Sequence, residues 1–188
     1  MAEGLSAIYA YSPQIIVFGI CAILLEYPST PILHIVTGSI FIWIWSYFAH
    51  RIVHNVPEKF THLFPHVSIH HKHTIVFNRF IDLLIEAIAD FGIFIPVYVM
   101  QYLIDIQIVP NYVIFLSALM YISIHIIHFS ILKQSEKHSN HHANPGVNFG
   151  PDYLDHIFGT NSDPEFENMA HFIPNSILAS LAIKHFAV

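Results

Sequence analysis

WSYFAHRIVHNVPEKFTHLFPHVSIHHKH, from Trp45 to His73, holds seven of the chain's sixteen histidines. It opens at the end of an apolar run, passes Pro57 and closes in a polar, His-rich segment. His50 and His54 stand at i, i+4, so on a helix their rings leave one face. His66 and His70 repeat that spacing, with His71 beside them. A further set, His138, His141 and His142, follows the last long apolar run, which carries His125 and His128 near its end at i, i+3. Helical i+3 and i+4 pairs are how bundles build metal sites, and neutral imidazole is the commonest metal ligand.

The composition says where such a site sits. Apolar residues make up 54% of the 188 and charged residues 11%, where a soluble domain has roughly 25% charged. The mean hydropathy is +0.54. Those values predict an all-α integral membrane helical bundle forming one domain over residues 1–188, with the His-rich core over about 45–160. The formal charge of −6 and the absence of a basic patch exclude nucleic acid as a partner. Cys21, the single cysteine, excludes an intrachain disulfide framework and a Cys-based zinc ribbon. No basic n-region precedes the first apolar run, so no cleaved signal peptide is expected.

About four crossings are predicted. Gln14–Leu25 is brief against the roughly 20 residues that span hydrocarbon, so it starts earlier, near Leu5, or is re-entrant. Pro31–Phe48 is the second run, and its helix continues through His54 until Pro57 stops it. Phe80–Ile104 is the third, with Asp82, Glu86 and Asp90 at i, i+4 and i+8 on one face. Asn111–Leu132 is the fourth. His171–Val188 reads as a shorter, interfacial helix. The seven basic residues, Arg51, Lys59, Lys72, Arg79, Lys133, Lys137 and Lys184, all follow the second or the fourth run. The loops around Ser29 and Gln107 have none. The positive-inside rule then gathers both His-rich regions into a cytosolic cap holding a dimetal site.

The ten histidines His50, His54, His66, His70, His71, His125, His128, His138, His141 and His142 exceed what one ion uses, since zinc sites take about four. Two metals fit. An all-imidazole pair points to oxygen redox chemistry and leaves two-zinc hydrolysis open. Asp82, Glu86, Asp90 and Asp155 are candidates to accept hydrogen bonds from the ligand imidazoles and fix their tautomers. Asn148-Phe149-Gly150 and Phe158-Gly159-Thr160 read as turns that fold the last cluster back. His34 is structural on the far side; His62, His73, His156, His171 and His185 stay open.

At these residues the chain resembles the fatty acid hydroxylase superfamily, which includes sterol desaturases, C4-methylsterol oxidases and sphingolipid fatty acid hydroxylases. The resemblance covers about Trp45 to Thr160. Its boxes are matched by His50-Arg51-Ile52-Val53-His54, by His66 to His71 with one residue more than the family's H-x-x-H-H, and by His138-Ser139-Asn140-His141-His142. The Asn-aromatic-Gly and Phe-Gly-Thr elements are present, and Asp155 fits the family's Trp-Asp with Leu154 in place of the Trp. His125 matches the lone histidine at the end of the last span. The resemblance implies two iron ions, with zinc possible on isolation, and O2-dependent hydroxylation or desaturation of a fatty acyl, sphingolipid or sterol substrate. It implies electrons from NAD(P)H through a cytochrome b5-like donor and its reductase. No cytochrome b5 domain lies in the sequence, so that donor is expected to be separate. It also implies the endoplasmic reticulum. The competing readings are a metal-dependent lipid hydrolase and a metal-transporting or metal-buffering membrane protein. Box positions at the ends of spans argue against transport, which places ligands at mid-membrane.

Overall fold

The computed structural model describes residues 2–64, 66–71 and 78–186; His73 and Lys72 lie outside them. Every regular element among the described residues is helical. In order they are α1 (Ala2–Ala10), α2 (Ser12–Glu26), α3 (Ile32–His54), α4 (Arg79–Gly92), α5 (Ile95–Ile104), α6 (Asn111–Ser123), α7 (Glu136–Ala143), α8 (Asp152–Phe158) and α9 (Phe172–Phe186). A 3-10 turn covers Glu58–Leu63, and π-helical backbone covers His66–His71 and Ile124–Ile131.

Three stretches are long and apolar enough to cross a membrane: Ile32–His54, Arg79–Ile104 and Asn111–Ile131. A fourth appears if α1 and α2, bent by 58° against each other, form one broken span. Pro13 begins α2 in its first turn, where a missing N–H costs nothing. The third span is two helices rather than one. Pro96, near the start of α5, cannot donate to the preceding turn, and the chain breaks at Ile93 and Phe94. Trp45 Nε1 donates to the freed Ile93 carbonyl at 2.8 Å, which satisfies a backbone group that lipid could not.

The spans pack through Phe18, Ile35, Ile42, Val97, Val113 and Leu116, all essentially buried. Gly38 lets α3 meet the start of α6, since a Cβ there would come within 2.6 Å of Pro110 Cδ. Leu24, Leu33, Ile88, Leu103 and Leu178 point outward, as lipid-facing positions do. The aromatic residues at the end of α3 are packing residues: Tyr47 is fully buried, and Trp43 packs against both core clusters.

The C-terminal helix departs from the interfacial expectation. α9 packs against α2 and α6, burying Asn175, Ser176, Ala179 and Ile183, with Ser180 bonded to Cys21. It therefore runs down the bundle from the histidine end. Arg51, Lys59, Arg79, Lys133 and Lys137 remain at that end, while α9 carries Lys184 away from it.

Candidate metal centre

Nine histidines converge from four pieces of chain. α3 supplies His50 and His54, the π-helical turn supplies His66, His70 and His71, the π-helical end of the last span supplies His125, and α7 supplies His138, His141 and His142. One group is His50, His54, His66, His71 and His141; a second is His70, His138 and His142; a third joins His70 and His125 to Glu86. Within each group the candidate ligand atoms lie within 4.8 Å of one another.

Local structure aims these rings. Ser135 caps α7 by accepting from His138 N at 2.9 Å. His141 Nδ1 donates to Val147 O at 2.6 Å and His50 Nδ1 to Phe149 O at 2.7 Å. His125 Nδ1 donates to Asp90 Oδ2 at 2.7 Å. Each commits its ring hydrogen to Nδ1, so each Nε2 presents a lone pair.

The carbonyls that receive these hydrogens sit on a turn with left-handed backbone at Asn148 (φ 54°) and Gly150 (φ 68°). Asp155 builds that turn. Its Oδ1 accepts from Phe149 N at 2.9 Å and Thr160 Oγ1 at 2.7 Å, and its Oδ2 from Gly150 N at 2.7 Å. Tyr47 donates in turn to Thr160 Oγ1 at 2.6 Å. Asp155 thus acts on His50 through the Phe149 carbonyl, one step removed from the direct acceptor role read from sequence.

The donor inventory fits a cation. His54 Nε2 lies 3.0 Å from His50 Nε2 and 3.0 Å from His141 Nε2. One ring nitrogen holds at most one hydrogen, so at least one of these contacts joins two lone pairs. His50 Nε2 also lies 2.9 Å from His66 Nε2, and His138 Nε2 lies 3.2 Å from His125 Nε2 and 3.0 Å from His142 Nε2. Lone pairs crowded this closely repel unless a positive ion lies among them.

Burial holds His66, His71, His138 and His141 neutral. It pushes His66 and His138 well below the ordinary imidazole value and His71 below it, with neighbouring imidazoles adding to the effect. Burial takes His141 down to about 4.

The acidic residues separate. Glu86 is buried, with Oε2 3.4 Å from His70 Nδ1 and Oε1 3.7 Å from His125 Nε2, and it accepts from Ser130 Oγ. It belongs to a ligand group itself, which spacing along α4 did not reveal. Asp90 is fully buried, with Oδ1 3.7 Å from His66 Nδ1. Asp82 joins none of the groups.

His128 is not brought to the cluster. Its Nδ1 donates to Gln134 Oε1 at 2.8 Å, its Nε2 accepts from Asn175 Nδ2 at 2.9 Å, and its ring stacks on His171. His34 Nε2 meets Ile108 O at 3.3 Å on the far side. His156 pairs with Glu3 and Asp152. His62 and His185 are exposed.

A cavity of about 820 Å³ of empty space, part of it open, reaches the centre. His50, His125 and His138 form one end; Trp43, Phe94, Met120 and Phe129 are among its apolar walls. Its exposed lining is mainly apolar, as hydrocarbon requires, and includes three of the imidazoles.

Residues 35–160 match the family model described as Fatty acid hydroxylase. No curated protein and no solved structure matches the chain.

Proposed function

The chain belongs to the fatty acid hydroxylase family, and from that premise we propose that it is a di-iron, O2-dependent oxygenase that hydroxylates or desaturates a membrane lipid. The observation that carries this reading is the convergence of nine imidazoles into groups in which lone pairs face one another. His50, His54, His66, His71 and His141 would hold one ion; His70, His125, His138 and His142, with Glu86, would hold the other. Bound iron would supply the O2-dependent oxidation of a C–H bond. The remaining work falls to this chain's own groups. Phe149 O, Val147 O and Asp90 keep the ring hydrogens of His50, His141 and His125 on Nδ1. The apolar walls orient hydrocarbon and exclude water. The substrate enters sideways from the bilayer between the spans. Electrons come from NAD(P)H through a separate cytochrome b5-like donor and its reductase, with the histidine face cytosolic at the endoplasmic reticulum.

One observation favours a second reading. Glu86 places a carboxylate within a ligand group, and carboxylates are common at hydrolytic metal pairs. A zinc-dependent lipid hydrolase is therefore the alternative.

The test is metal content after iron-supplemented expression, beside a His141→Ala/His142→Ala variant, followed by lipid turnover under ¹⁸O2. About two irons per chain, lost in the variant, with one ¹⁸O atom in an alcohol product, supports hydroxylation. Lipid cleavage without oxygen, sustained by zinc, replaces the oxygenase with the hydrolase.

A further inference from the structure

The large cavity has a second end. Its lining shares Trp43, Tyr153, Met169 and Phe172 with a smaller cavity that continues to Tyr11 and Gln14. Around that junction four polar atoms are buried and lack a hydrogen-bond partner among the described residues: Gln14 Oε1, Trp43 Nε1, Tyr153 Oη and Glu167 Oε1. They come from α2, α3, α8 and the segment before α9. Unmet buried polar atoms are uncommon one at a time. Here two unmet donors and two unmet acceptors line joined apolar space.

The polar groups beside them are already engaged. Lys137 Nζ donates to Asp152 Oδ1 at 2.7 Å and Glu165 O at 2.5 Å. Asp152 Oδ2 accepts from Tyr11 Oη and, at 3.1 Å, from Glu167 N. The Lys137–Asp152 pair therefore holds the Glu167 segment in place. Burial pushes the Glu167 carboxyl up to about 7, so near neutrality it can accept or donate.

We propose that Gln14, Trp43, Tyr153 and Glu167 form a head-group subsite for a lipid with an uncharged hydrogen-bonding head, a hydroxyl or a carboxamide, whose hydrocarbon runs along the cavity to the histidines. Such a head both donates and accepts, as the four atoms require. A carboxylate only accepts, would leave Gln14 Oε1 unmet, would meet Glu167 only with that carboxyl protonated, and would face Asp152. An alkane meets none of them. Trp43 and His50 are seven residues apart on α3, about 10 Å along its axis, so the attacked carbon lies down the chain from the head. The proposal names the substrate class of the lipid-oxidising site and rests on that reading.

Binding tests it without catalysis. The full chain in detergent is titrated with chains brominated on the hydrocarbon and headed by alcohol, primary amide, carboxylate or nothing, reading tryptophan quenching. Trp43→Phe identifies the signal that arises at the subsite. The alcohol and amide are expected to quench at roughly tenfold lower concentration than the other two, the loss of about one good hydrogen bond to a buried group. Glu167→Leu is expected to erase that preference, and Glu167→Gln, which keeps an acceptor, to restore most of it. Unchanged metal content in each variant shows the fold intact. Equal affinity for all four heads, as when water alone serves these atoms, overturns the subsite, and so does a preference that survives Glu167→Leu. Oxygen-dependent oxidation without head preference sinks the subsite and leaves the oxygenase. Head preference with no oxygen-dependent product sinks the oxygenase and leaves the subsite.

Discussion

Asp155 shows how a residue that touches no ligand ring can control one. It takes three hydrogen bonds at the turn whose Phe149 carbonyl holds His50. Burial raises its carboxyl to about 6, which leaves it ionised and fully accepting at pH 7. Asp155→Ala leaves two backbone N–H groups and the Thr160 hydroxyl without their acceptor. The expected cost is on the order of 2–4 kcal/mol, with a roughly 10–100-fold loss of metal affinity. Thermal unfolding in detergent and a metal titration check both; unchanged affinity would mean that the turn does not position His50. pH acts through the imidazoles. His141 titrates near 4 when folded and near the ordinary ~6.5 when unfolded. The folded ring thus refuses a proton that the unfolded chain takes up, so metal-free protein loses stability as pH falls from about 6.5 toward 4. Metal loses this ligand to protons only as pH approaches 4. Melting temperature of the stripped protein and metal content after dialysis across this range should show the two onsets separated by about two pH units.

Elements decide which histidines meet, and here the sequence was partly legible. His50 and His54 fall on one face of α3 because an α-helix brings i and i+4 together. The turns at Asn148, Gly150 and Gly159 declared themselves through residues that accept left-handed backbone. His128 did not follow its spacing. The α-helical pattern of the last span gives way to π-helical backbone at Ile124, where the wider turn no longer stacks i on i+3. His125 therefore faces Asp90 and His138, while His128 turns to Gln134, Asn175 and His171. No residue in Ile124–Ile131 announces that widening. Nor does α4 announce that Glu86 will meet His70 and His125, because that depends on how α4 crosses the last span. It follows that His125→Ala and His128→Ala differ: the first is expected to lower metal per chain, the second to keep it near the parent value. Plasma emission on matched preparations measures this, and equal loss in both would put His128 back among the ligands.

At the scale of the whole molecule, the basic residues and the histidines share one end of the bundle because both sit at the same ends of the spans. Arg79 Nη2 donates to Ser130 O at 2.5 Å, and Lys137 stands beside His138, so part of that charge is structural as well as topological. Lys184 is the exception: composition cannot show that α9 turns back along α2 and α6. Five described cations at one end still outweigh one elsewhere, and the loops at Ser29 and Gln107 have none. The positive-inside rule therefore predicts that the histidine end faces the cytosol. Single cysteines placed at exposed Ser29, Gln107 and Glu136 in a Cys21→Ala background separate the sides. In sealed, right-side-out microsomes an impermeant thiol reagent should label Glu136→Cys at once, and Ser29→Cys and Gln107→Cys only after detergent. Ser29 and Gln107 labelling together on the side opposite Glu136 also requires an odd number of crossings between each of them and the cap, as α3 and the α6 span provide. Immediate labelling at Gln107 would break that parity, and then neither Arg79–Ile104 nor Asn111–Ile131 would cross the membrane once.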